Sequence, residues 1–134
     1  MKDYKEVSLR LVAMPSDTNP AGNIFGGWIM SQIDLAGSVA AKEVANGRVV
    51  TIAVDKMTFK KPVFVGDIVS FYAKIINVGT TSIQVSVEVV AERCTPKLYG
   101  VCTDVTSAVL TYVNVDENGN KIPISEENKK RAGF

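Results

Sequence analysis

The chain has 134 residues, with 15 Lys and Arg against 14 Asp and Glu, so its net charge of +1 gives no general drive toward nucleic acid or an anionic membrane. That length fits one domain whose core needs neither disulfides nor a structural metal, and no apolar run approaches the roughly 18 residues of a transmembrane helix. Histidine is absent, which excludes Ser-His-Asp and Cys-His nucleophile pairs, histidine bases and every His-containing zinc site.

The chain opens on the charged and polar stretch Met1 to Glu6, with no apolar segment of a secretory signal behind it, which points to a cytoplasmic protein. Residues 7–13 set Val7, Leu9 and Leu11 against Ser8, Arg10 and Val12 and read as a first strand ending at Met14-Pro15. Residues 16–27 (SDTNPAGNIFGG) are dense in turn formers and read as a shaped loop. Residues 28–45 are the one long helix candidate: Ile29, Ile33, Ala36, Ala40 and Val44 fall within about 80° of one another on a helical wheel. Asn46-Gly47 supplies the stop.

Everything after the helix reads as strand until the tail. Residues 49–59 are rich in β-branched side chains, and Pro62 with Gly66-Asp67 separates them from the next run. Residues 68–78 and 82–93 flank the turn Gly79-Thr80-Thr81, and Ile83, Val85, Val87, Val89 and Ala91 alternate with polar positions, the pattern of a long hairpin. A last strand over 101–115 ends at the turn Asp116-Glu117-Asn118-Gly119. Residues 116–134 form a short polar tail, where Ser125-Glu126-Glu127 before Lys129-Lys130-Arg131 suits a capped helix or a frayed end. Short connections favour antiparallel pairing, so the expected fold is α+β: one curved antiparallel sheet wrapped around a single long helix, as one domain over 1–134. Its exposed sheet edges argue for oligomerisation.

With no histidine, catalysis has to rest on carboxylates, amides, hydroxyls, lysines or backbone dipoles. Cys94 and Cys102 are eight apart, match no metal or redox spacing and read as inert thiols. There is no GxxxxGK[ST] or GxGxxG motif to support nucleotide chemistry. Asp34 falls at the margin of the helix's apolar stripe, beside Gly37 and Ala41, where small side chains imply close approach of another backbone or a ligand. The alternative is a solvated surface aspartate. Gly26-Gly27 precedes the helix, so orphan N–H groups and the macrodipole there can stabilise an oxyanion, or the pair is a hinge or packing contact. Asn23 could donate into the same space or hold the turn.

These segments, SDTNPAGNIFGGWIMSQIDLAG over 16–37 and VDKMTFKKPVFVGD over 54–67, followed by the hairpin and long last strand, resemble the hotdog-fold acyl-CoA thioesterases of the YciA type across residues 9–115. The resemblance implies that Asp34 activates or positions water, with a nucleophilic role as the minority alternative. It implies that the Gly27 N–H polarises the thioester carbonyl and that Asn23 completes the site from a neighbouring subunit. It further implies a dimer with a continuous sheet, commonly assembled as a trimer of dimers. Lys60 and Lys61 are candidates for the coenzyme A phosphates, with Arg93 or Lys97 as further cations, or they are a solvated edge. Gly26 and the turn Gly79, Thr80, Thr81 and Ser82 are further substrate contacts. Phe25, Trp28, Ile29 and Met57 suit an acyl channel, and core packing explains them equally well. The expected activity is hydrolysis of acyl-CoA to free acid and CoA, with no metal and no organic cofactor. The rivals are a non-catalytic acyl-CoA-binding module and a structural oligomer with a vestigial site.

Overall fold

The computed structural model describes residues 7–45 and 47–134; the polar start Met1 to Glu6, and Asn46 in the expected helix stop, lie outside the described residues. The strands are β1 (Leu9–Val12), β2 (Arg48–Asp55), β3 (Ile68–Val78), β4 (Ser82–Glu92) and β5 (Cys102–Val115), and the helices are α1 (Gly26–Lys42) and α2 (Glu126–Arg131). All five strands form one antiparallel sheet in the order β1-β3-β4-β5-β2.

The core follows the two hydrophobic periods. Ile29, Ile33, Ala36, Ala40 and Val44 are all buried, and they pack with Ile83, Val85, Val87, Val89 and Ala91 of β4. The sheet bends where its register shifts, between Thr51 and Ala53, Ile75 and Asn77, and Val89 and Val90. Both edges are single strands, and on β2 the side chains of Val50, Ile52 and Val54 remain exposed, Ile52 by 57%.

The boundaries of β1, β2 and α1 differ from the sequence reading, and α1 ends at Lys42 rather than 45, with Glu43 as its cap. β1 is shorter than 7–13, although Ala13 stays tied to the 66–67 turn by bonds from Ala13 N to Asp67 O and from Gly66 N to Ala13 O. β2 stops at Asp55 rather than 59 because Lys56 takes a φ of 54°, outside strand geometry. The helix begins at Gly26, so Gly26 and Gly27 form its first turn instead of preceding it; the extended Phe25 accepts the first helical bond, from Ile29 N.

The C-terminal tail is docked and helical. Ile124 is buried in the core and its N–H bonds to Thr80 O. Ser125 caps α2 by accepting from Asn128 N. From α2, Asn128 Nδ2 donates to Val44 O at 2.9 Å and Arg131 Nη2 to Glu43 O at 2.8 Å, satisfying carbonyls that the end of α1 leaves open. That tertiary role, which no local pattern shows, is what keeps the tail from fraying.

Candidate active site

The approach to α1 is shaped by Asn19. Its Oδ1 accepts from Ala21 N at 3.0 Å and Asn23 N at 3.1 Å, while Asn19 N donates to Asn23 O at 2.7 Å. Gly22 closes this turn with a φ of +87°, a conformation that L side chains rarely adopt. Asn19 therefore holds the turn, and the Asn23 side-chain amide has no hydrogen-bond partner among the described residues.

The loop delivers the chain to a helix start without a side-chain cap, since Phe25 occupies the cap position. The N–H groups of Gly26 and Gly27 find no acceptor among the described residues. A Cβ at Gly27 would meet nothing within 4 Å, so this end of the dipole faces open space. Gly26 instead lies against the Phe59 ring, 3.5 Å from where its Cβ would stand.

Two turns further along α1, the half-buried Asp34 meets two hydroxyls from the sheet. Thr51 Oγ1 donates to Asp34 Oδ1 at 2.6 Å. Tyr112 Oη donates to the Asp34 main-chain oxygen at 2.7 Å and lies 3.2 Å from Oδ1. Thr51 and Tyr112 are direct cross-strand partners, at the bulge where β2 shifts register against β5. Oδ1 is thus held, and Asp34 Oδ2 has no partner among the described residues. Burial first, then the negative charge and hydrogen bond of Asp34, push the Tyr112 phenol far above its ordinary range, so it stays a donor.

The segment between β2 and β3 forms a lip beside the helix start. Its near end is anchored by Lys60 N to Val105 O and by Thr106 Oγ1 to Thr58 O, each a short bond of 2.8 and 2.7 Å. Its far end is held by Arg93, which ion-pairs with the buried Asp67, donates to Pro62 O at 3.3 Å and stacks over the Phe64 ring at 4.6 Å. Arg93 therefore secures the lip rather than standing free for a phosphate. A cavity of ≈ 390 Å³ opens between lip and loop, lined by Asn23, Gly26, Ile29, Phe59, Lys60 and Lys61, with both lysines exposed.

One chain thus brings Asn23, Gly26, Lys60 and Lys61 together and sets Gly27 beside them, but not the rest. Asp34 does not line the cavity. The turn Gly79 to Ser82 sits at the opposite end of β4, an eleven-residue strand spanning roughly 30 Å. Its carbonyls are engaged by the tail and β5, Thr80 O by Ile124 N and Thr81 O by Asn114 N. Trp28 and Met57 pack against the core, whereas Phe25 is 48% exposed. Lys97 lies on the exposed 95–100 turn, and Cys94 and Cys102 are both exposed thiols. Among the described residues no cluster of His, Cys, Asp or Glu could hold a metal ion, and no helix is long and apolar enough to cross a membrane.

Sequence reasoning missed Thr51, Tyr112, Asn19 and the Asp67–Arg93 pair. A tyrosine at a core-facing strand position is the one signal that pointed to any of them, because a buried hydroxyl demands a partner.

A family model described as the thioesterase superfamily matches residues 21–96. The chain is 48% identical over 119 residues to the acyl-CoA thioester hydrolase YciA of Salmonella typhimurium, covering 89% of this chain and 90% of that protein. Among solved structures it is similar to a hexameric hotdog fold thioesterase of Campylobacter jejuni, with 60% identity and a TM-score of 0.95 over 99% of this chain and 100% of that one. It is also similar to a hexameric broad specificity acyl-coenzyme A thioesterase, with 45% identity and a TM-score of 0.90 over 98% and 91% of the two chains.

Proposed function

The chain belongs to the thioesterase superfamily, has the hotdog fold and is an acyl-CoA thioester hydrolase, and on that premise we propose that Asp34 activates the attacking water at a site completed by a second subunit. The observation that carries this reading is the Asp34 carboxylate, half-buried with Oδ1 held by Thr51 and with Oδ2 left to act. Asp34 Oδ2 takes a proton from water as the water oxygen attacks the thioester carbon. The carbonyl oxygen becomes an oxyanion, accepting from the Gly27 N–H at the positive end of the helix dipole. Collapse of the tetrahedral intermediate breaks the C–S bond, releases the acid, and returns the proton from Asp34 to the departing thiolate. These groups supply base and oxyanion stabilisation themselves, so the proposed reaction uses no metal and no organic cofactor.

Gly27 and Asp34 are seven residues apart, about 10 Å along the axis and on the same helix face. Two helices running antiparallel across a two-fold axis would set Gly27 and Asn23 of one copy opposite Asp34 of the other. The unpaired, apolar edge of β2 is where such copies would join into a continuous sheet. The same two-fold reverses the strand direction, so it would carry the Gly79 to Ser82 turn of one copy toward the Lys60–Lys61 lip of the other. In this arrangement the lysines meet coenzyme A phosphates, and Phe25 meets the acyl chain.

The chain is a homo-oligomer in this reading, a trimer of dimers, supported by further exposed apolar side chains at Phe64, Val65, Leu98, Tyr99 and Val101. The relatives described as hexameric support the same count. We place the enzyme in the cytoplasm. Turnover of an acyl-CoA chain-length series, read as released thiol, tests the function: hydrolysis is expected across several lengths, and a pure binding module would release none.

A further inference from the structure

We propose that Tyr112 is the positioning residue for Asp34: its hydroxyl bonds the Asp34 main-chain oxygen at 2.7 Å and abuts Oδ1 at 3.2 Å, fixing the carboxylate with Oδ2 turned to the water. This rests on the reading of Asp34 as the base. Tyr112 is 1% exposed and projects from β5, the strand that pairs with the Thr51 strand, so its hydroxyl comes from a rigid sheet rather than a loop. A side chain fixed by packing holds a reacting group more closely than one on a mobile segment. Two further features serve this one contact. Gly37, one turn beyond Asp34, lacks a Cβ where one would lie 2.3 Å from the Tyr112 hydroxyl, so α1 is hollowed to admit it. The phenol is also held in its protonated form by burial and by Asp34 itself, so it remains a donor through the neutral pH range.

The bond to the main-chain oxygen sets the height of Asp34 along the helix against the sheet, and the contact at Oδ1 selects the rotamer. Thr51 alone grips only the side chain. Without Tyr112 the carboxylate samples orientations in which Oδ2 no longer meets water, and small misplacements of a reacting group are costly.

The test is a double-mutant cycle between Tyr112→Phe and Asp34→Asn in the full oligomeric enzyme, with kcat, KM and thermal midpoint measured for one acyl-CoA. Tyr112→Phe keeps the ring in the core. It is expected to lower kcat about tenfold with KM within about twofold of the parent, and to lower the residual kcat of Asp34→Asn no further. An unchanged kcat, or an equal loss in both backgrounds as simple destabilisation would give, overturns the proposal. If Asp34→Asn alone retains the parent kcat, the base assignment itself is wrong and the positioning role falls with it. Should Tyr112→Phe not fold, Gly37→Ala, which keeps the hydroxyl but displaces it, replaces it in the cycle: a loss confined to the Asp34 background supports the role, and an equal loss in both rejects it.

Discussion

Gly37 and Tyr112 meet so closely across the interface of α1 and β5 that a Cβ on residue 37 would stand 2.3 Å from the tyrosine oxygen. The small-residue face beside Asp34 thus admits a tyrosine of the same chain, not a backbone or a ligand. Tyr112 is enclosed on all sides, so it cannot swing away freely. Gly37→Ala is expected to destabilise the fold by about 1–3 kcal/mol, the usual range for an overpacked core, and to lower kcat. Urea unfolding midpoints with parallel turnover measure both, and a variant of parental stability would show that the ring relocates at little cost.

Asp34→Asn keeps the size and the acceptor for Thr51 but removes the proposed base. A fall in kcat of about 10²-fold or more is expected, with little change in KM, because the lost interaction acts mainly in the transition state. A correctly assembled variant with full kcat would remove Asp34 from the mechanism.

Activity is expected to survive exhaustive chelation. The chain has no histidine, and neither cysteine lies in a metal-ligand spacing. Loss of turnover, restored by one divalent ion, would reveal a carboxylate metal site and rewrite the source of the nucleophile.

The proposed sharing of one site between two subunits makes a prediction about mixtures. Asn23→Ala and Asp34→Ala, each expected to be inactive alone, are unfolded together and refolded. Half of the dimers should then be mixed and roughly a quarter of all sites should recover both native residues. Turnover per subunit should rise accordingly, with assembly checked by size. No recovery in remixed dimers would place both residues in one chain's site.

Tyr112 also predicts an alkaline limb of stability. Its phenol is raised in the folded state above the ordinary value of 10.0, first by burial and then by Asp34. The folded chain therefore keeps a proton that the unfolded chain loses. That contribution is fully present below about pH 10 and is lost as pH rises above it. Between about pH 9 and 11 the parent should lose more unfolding free energy than Tyr112→Phe, which has no proton to lose there; equal losses would assign the limb to other groups.

Much of this protein was legible in one dimension. The intervals among Ile29, Ile33, Ala36, Ala40 and Val44 specified the buried face of α1, and the alternation from Ile83 to Ala91 specified that of β4, because burial repeats with the period of each element. Asp34 stood out because it borders the apolar stripe beside the small residues Gly37 and Ala41, with Gly26-Gly27 upstream, and the motif around it carried the family. What the sequence could not determine were relationships between residues far apart in the chain. Tyr112 and Asp34 are 78 residues apart, and Arg93 and Asp67 are 26 apart. Such pairs depend on strand order and register, which follow from the packing of the whole sheet and leave no local period. The same holds for the tail: its charges permitted a helix or a frayed end, and only the open carbonyls of α1, waiting for Asn128 and Arg131, decided between them.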